Sequence, residues 1–143
     1  MIPSPVNIFD RRQIRHNRNR AASHLNNHNF LFEWTARQLS FRLDDIKRTF
    51  PLALQIGARH DCVHKNIEHT IHMDIAEKLL PEKPLPVQAE EEFLPFADNS
   101  FDLVASPLAL HSVNDLPGAL VQINRVLKPD GLFLGALCGG ETL

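Results

Sequence analysis

The chain has 143 residues, 43% of them hydrophobic and 22% charged, with a formal net charge of −2. This length allows one domain at most, with enough apolar side chains for a real core, and no run of 18 or more apolar residues is present to span a membrane. Two cysteines, Cys62 and Cys138, lie far apart and make no disulfide framework, so a reducing compartment is expected. The first five residues lack the charged-then-apolar order of a secretory signal. A cytoplasmic location is the default, with the mitochondrial matrix as the alternative in a eukaryote.

Charge is split along the chain. Residues 1–50 carry nine Arg and Lys against four Asp and Glu, whereas residues 51–143 carry six against thirteen. Arg11, Arg12, Arg15, Arg18 and Arg20 recur at helical spacing with no aromatic residue between them to stack a base. They read as a solvated helix face or as partners for the acidic half, and nucleic acid is not expected.

In chain order, residues 8–22 predict a short basic helix, and a polar break follows at 23–29. Leu31, Trp34, Leu39, Leu43 and Ile46 then recur at steps of three to five, predicting an amphipathic helix over 30–48 that ends before Pro51. Residues 52–57 form a short apolar run that suits a strand buried on both faces, as in parallel sheets. Residues 70–75 predict a second strand, 76–80 a helix kept short by Pro81, Pro84 and Pro86, and 87–89 a brief third strand. The fourth strand is expected at 101–106. A second amphipathic helix follows over 115–127, with Asp115 as its N-cap. Lys128, Pro129, Asp130 and Gly131 spell a turn in which proline presets one dihedral and glycine is expected to supply the positive one. Residues 131–137 predict the fifth strand. Strands alternating with helices mean parallel βαβ units, hence an α/β fold.

Residues 92–104, Glu-Phe-Leu-Pro-Phe-Ala-Asp-Asn-Ser-Phe-Asp-Leu-Val, resemble the LPF…D-x-SFDLV segment of class I S-adenosylmethionine-dependent methyltransferases. Residues 125–133, Arg-Val-Leu-Lys-Pro-Asp-Gly-Leu-Phe, resemble the R-x-LKPGG-x-L segment that leads into the fifth strand of those enzymes. Three further stretches resemble the group around the mitochondrial complex I assembly factor 5 and the biotin-synthesis-type methyltransferases: Phe9-Asp10-Arg11 with Arg15, Arg18 and Arg20-Ala21, then 110–120, then the closing Gly-Gly-Glu-Thr-Leu. The resemblance implies a Rossmann-like parallel sheet of about five strands with flanking helices, incomplete at its C-terminal end. A helical cap segment (1–49) would precede a truncated methyltransferase-like domain (50–143). Members of that group are about twice this length, so two further strands would be missing.

S-adenosylmethionine is the cofactor that the resemblance implies, held by Gly57, Ala58, Asp74, Glu90, Glu91 and Ser106. Asp74, 17 residues after Gly57, matches the acidic residue that accepts the ribose hydroxyls, and Glu90 the one near the adenine amino group. His111 is the candidate catalytic base, and Ser112 stands where the group has a tryptophan. The loop after the first strand departs from the pattern. Of the glycines that let backbone approach the cofactor only Gly57 remains, Gln55 replaces an acidic residue, and Arg59 and Asp61 put bulk where glycines belong.

The spacing of His60, Asp61, Cys62, His64, His69 and His72 matches no common zinc module, and no metal is expected. Three readings follow: a methyltransferase in ancestry and activity, a non-catalytic binding or assembly protein on the same sheet, or a non-functional truncated product. The acceptor is not specified, and a protein is one option. Self-association through the unfinished sheet region is expected from its exposed edge.

Overall fold

Residues 7–142 are described by the structure, a computed structural model. Asp10 opens the first helix, α1 (Arg11–Ala21), its carboxylate accepting from the Arg12 and Gln13 N–H groups. A 3-10 turn at Ala22–Asn27 leads to α2 (Phe30–Arg42). Five strands follow: β1 (Phe50–Ile56), β2 (Ile67–Asp74), β3 (Pro86–Gln88), β4 (Phe101–Pro107) and β5 (Leu127–Ala136), with α3 (Leu116–Val126) between the last two. All pairings are parallel and the strand order is β3-β2-β1-β4-β5. The order reverses beside β1, so the carboxyl ends of β1 and β4 frame the crevice where such sheets bind ligands. This is the expected Rossmann-like sheet with helices preceding it.

The main core lies between one face of the sheet and α3. Leu54, Ile56 and Val104 pack there against Ala119, Ile123 and Val126, with Phe101 below. On the opposite face Ala36 and Leu39 of α2 meet Ala105 and Cys62, and Leu43 meets Phe50, Ala53 and Leu103. The central strands are buried on both faces, which is why β1 and β4 read as nearly continuous apolar runs.

The two segments that carry the family resemblance clamp each other. Arg125 of α3 donates to Phe96 O (2.7 Å), Leu94 O (2.9 Å) and the Asp98 carboxylate (2.8 Å). Phe96 also meets Phe101 edge-on, ring centroids 5.1 Å apart. One guanidinium thus satisfies two loop carbonyls that an irregular segment leaves without strand partners.

The structure corrects several sequence expectations. The second helix ends at Arg42, not 48, and a 3-10 turn (Leu43–Asp45) and extended chain lead into β1, which already includes Phe50 and Pro51. The face of α2 toward the sheet is made by Thr35, Ala36 and Leu39, whereas Leu31 and Trp34 are 45% and 60% exposed. Small side chains let the helix lie close to β4 and β5, and this decides its orientation over the larger apolar stripe. The expected helix at 76–80 is only a 3-10 turn, Glu77–Leu79, between the extended Ala76 and Pro81. No helix joins β1 to β2; residues 57–66, polar and without apolar periodicity, cross as irregular chain.

The expected turn at 128–131 lies instead inside β5, where the pairing with β4 shifts register between Phe101 and Leu103. Asp130, not Gly131, holds the positive dihedral (φ +63°). Gly131 is required for another reason: a Cβ there would lie 2.8 Å from Lys128 O. A left-handed conformation at a residue with a Cβ costs about 1 kcal/mol or more, less for aspartate than for most. Asp130→Gly is therefore expected to raise stability by roughly 0.5 kcal/mol, and Gly131→Ala to lower it, in urea unfolding of the two variants.

Candidate functional site

The ends of β1, β2 and β4 and the loop after β3 converge at the crevice, and α1 lies across it. Three of its arginines, Arg11, Arg15 and Arg18, share one helical face, and that face is turned onto the acidic half of the chain. Arg15 binds Glu77 at 3.1 Å on the surface. Arg18 goes deep: it is 7% exposed, and its Nη1 donates to Asp74 Oδ1 (3.1 Å) and Glu91 Oε1 (2.9 Å). Asp74 and Glu91 are fully buried. Arg11 donates to Glu91 Oε2 and to Ser112 O, and its Nη2 lies 2.6 Å from Glu90 Oε1. Burial disfavours the Arg18 charge, yet Asp74 and Glu91 outweigh it and hold the guanidinium above its ordinary value.

Asp74 is saturated from several sides. Besides Arg18, its Oδ1 accepts from Ala76 N–H (2.9 Å), and its Oδ2 accepts from Ala58 N–H (2.9 Å). The strand end, the loop after β1 and α1 are joined through one carboxylate.

The loop after β1 is closed upon itself. Gln55 is fully buried; its Nε2 donates to Gly57 O and His60 O, both at 2.7 Å, and its Oε1 accepts from Cys62 N–H at 2.8 Å. Gly57 takes φ +94°, and a Cβ there would lie 3.0 Å from the Ala109 Cβ, so only glycine fits where the loops after β1 and β4 meet. Arg59 turns inward, stacks over the Phe32 ring at 4.2 Å and donates to Leu108 O at 2.6 Å.

The structure thus brings Gly57, Ala58, Asp74, Glu90 and Glu91 together at one crevice. Ser106 lies at the carboxyl end of β4, one residue beyond the pairing of Gln55 with Ala105. By strand alternation it shares the α3-facing side with Val104, and its hydroxyl is buried with no hydrogen-bond partner among the described residues. His111 lies in the 3-10 turn after β4, half-buried, with no hydrogen-bond partner for Nδ1 among the described residues. Burial lowers its pKa from the ordinary value, and the charges of Arg59 and Arg18 lower it further.

Arg11 and Arg18 belong to this site although the sequence predicts them only as a solvated helix face or as partners for the acidic half; Gln55 and Ser112, noted as departures from the family pattern, border it as well. The signal for the arginines was present in their i, i+4, i+7 spacing; what a one-dimensional reading lacked was the distance between α1 and β2. Beside Ser112, Asn114 exchanges two hydrogen bonds with the Phe9 backbone (2.7 and 3.0 Å), tying the chain's opening to the segment after β4.

Among the described residues no group of three or more His, Cys, Asp or Glu side chains is placed to hold a metal. His72 Nδ1 lies 3.0 Å from Pro84 O, His64 pairs with Asp44 and Asp61 pairs with Lys83. Burial pushes the Cys62 thiol up to about 12, which makes it a poor nucleophile.

The residues present do not fit S-adenosylmethionine in this arrangement. Asp74, the carboxylate that the resemblance assigns to the ribose, is occupied by Arg18, Glu90 and Glu91 pair with Arg11 and Arg18 of α1, and Arg59 stands where the resemblance implies a glycine. The pH behaviour of His111 tests the electrostatics. With its folded pKa below the ordinary 6.5, the unfolded chain binds more protons near that pH, so this histidine makes stability fall as pH drops through 6.5. An NMR titration of His111 is expected to give a midpoint below 6.5 that moves upward in Arg59→Gln.

A family profile described as methyltransferase domain matches residues 52–135. The chain is 44% identical over 151 aligned positions to the mitochondrial arginine-hydroxylase NDUFAF5 of Danio rerio, covering 96% of this chain and 47% of that protein. It is likewise 44% identical to the Homo sapiens NDUFAF5, covering 99% and 45%. The chain therefore spans about half the length of these relatives. A malonyl-[acyl-carrier protein] O-methyltransferase of Halorhodospira halophila is 30% identical, covering 100% of this chain and 54% of that protein. Among solved structures, a chain of the complex between the Haloferax volcanii Trm112 methyltransferase activator and a methyltransferase superposes with a TM-score of 0.73 at 21% identity, covering 87% of this chain and 60% of that one. An S-adenosyl-L-methionine-dependent methyltransferase structure from Methanococcus maripaludis gives 0.64 at 17%, covering 96% and 68%. With the parallel sheet and the paired family segments in place, the chain belongs to the class I methyltransferase superfamily, within the NDUFAF5 group.

Proposed function

We propose that this chain is a non-catalytic binding or assembly protein on a methyltransferase fold, related to respiratory complex I assembly, rather than an enzyme that turns over S-adenosylmethionine. The observation that carries this reading is the buried Arg18 between Asp74 and Glu91. Binding the cofactor's ribose at Asp74 requires Arg18 to leave, and its departure leaves the fully buried Asp74 with no cation among the described residues and Glu91 with Arg11 alone. Uncompensated buried charge of this kind costs about 3 kcal/mol or more, which a ligand must offset before it gains any affinity. Residues 1–49 act in this reading as a cap that closes the crevice of residues 50–143. The relatives' mitochondrial names support the mitochondrial matrix over the cytoplasm as the site of action.

Calorimetric titration with S-adenosylmethionine and S-adenosylhomocysteine tests the reading. No binding is expected at millimolar cofactor, and micromolar binding would contradict it. The paired substitution Arg59→Gly with Asp61→Gly leaves Arg18 on Asp74 and Glu91 and is expected to restore no affinity; recovery would place the block in the loop and overturn the role given to Arg18.

A partner surface is also part of the reading. Phe30, Trp34 and Phe41 share the outward face of α2, each at least 60% exposed, and β5 forms the sheet edge beyond β4. Large apolar groups beside an open edge favour association, and we assign this region to self-association. Light scattering is expected to show a dimer or larger species that dissociates in Trp34→Glu. A strictly monomeric wild type rules the interface out.

A further inference from the structure

A cavity of about 310 Å³ lies between α1, the 3-10 turn after it, α2 and the loop after β1. Leu25, Phe32, Leu79 and Ala21 give it largely apolar walls, His24 and His28 also line it, and among the described residues no acidic side chain borders it. Two guanidiniums reach it, from Arg18 and Arg59. They differ in kind. The charge of Arg18 is answered by Asp74 and Glu91, whereas Arg59 has a carbonyl and an aromatic face as partners and no ion pair among the described residues. Burial and the neighbouring Arg18 charge push Arg59 down to about 10, the mark of a cation that its surroundings do not balance.

A planar guanidinium offers N–H donors that match a carboxylate, and the apolar walls strengthen such a pair by excluding water. One unbalanced positive charge suits a monoanion. A dianionic phosphate would leave a negative charge unanswered against carbon walls. We propose that this cavity binds a small organic carboxylate, with its apolar body against Leu25, Phe32 and Leu79 and its carboxylate on Arg59. The site goes beyond the proposed function: it does not use Asp74 or Glu90, and Arg59 stands where the family pattern has glycine.

The probe is 3-phenylpropionate, with the uncharged 3-phenylpropanamide as its match in shape, both followed by calorimetry and by NMR shifts of Leu25 and Phe32. The wild-type protein is expected to bind the acid saturably and the amide at least about tenfold more weakly, the difference expected of one charge-assisted pair. Arg59→Gln is expected to lose the acid by a similar factor while keeping its weak affinity for the amide. Should that variant not fold, Ala21→Phe fills the cavity from an exposed helix position without touching Arg59, and it is expected to abolish binding of both. No saturable binding of the acid at roughly 10 mM, or equal affinity for acid and amide, overturns the site. Competitive displacement by S-adenosylmethionine overturns it too, because the cavity would then belong to the cofactor, and that outcome alone also refutes the proposed function.

Discussion

Two arginines of α1 and two buried carboxylates hold each other out of water, and the remainder of the crevice is arranged around that fact. Neither side is tolerable alone. Asp74 and Glu91 have no solvent contact, and Arg18 is nearly as deep. Because α1 buries only Arg18, ion pairing rather than apolar packing docks it. The charge asymmetry between the two halves of the chain is thereby explained as internal complementarity: basic opening against acidic middle, with Ser112 and Asn114 providing the polar floor.

The fold was legible because parallel sheets write themselves into sequence plainly. Buried central strands appear as apolar runs, and α3 shows a clean stripe with an Asp115 cap that the structure reproduces at 2.9 Å to Gly118 N–H. The family segments reinforce this, since Arg125 needs the carbonyls of Leu94 and Phe96 as much as they need a donor. Legibility failed where tertiary contact overrides local pattern. In α2, tight approach to β4 favoured Thr35 and Ala36 over Trp34; in the irregular first part of β5, steric conflict claimed Gly131 and left the positive φ to Asp130.

The site was half legible. Glu90, Glu91, Asp74 and the altered glycine loop were found by likeness, and all of them border one crevice. What fills that crevice was not found, because Arg18 is separated from Asp74 by 56 residues and its pairing depends on where α1 comes to rest. Ser106 was placed by likeness as well; it sits at the carboxyl end of β4, and strand alternation puts its side chain on the same side as that of Val104. Substitution of glycine by Arg59 looked like simple loss in one dimension. In three it introduces a stacked, partly desolvated cation with chemistry of its own.

Gln55 has a consequence beyond holding its loop. A carboxylate at that strand end can only accept, so it must look outward for donors and its strength changes with acidity. An amide carries donor and acceptor together and does not titrate, which lets it complete its bonds with Gly57, His60 and Cys62 and ask nothing of a ligand. Replacing one by the other converts a receptor for a charged guest into a latch that stays shut across the whole pH range.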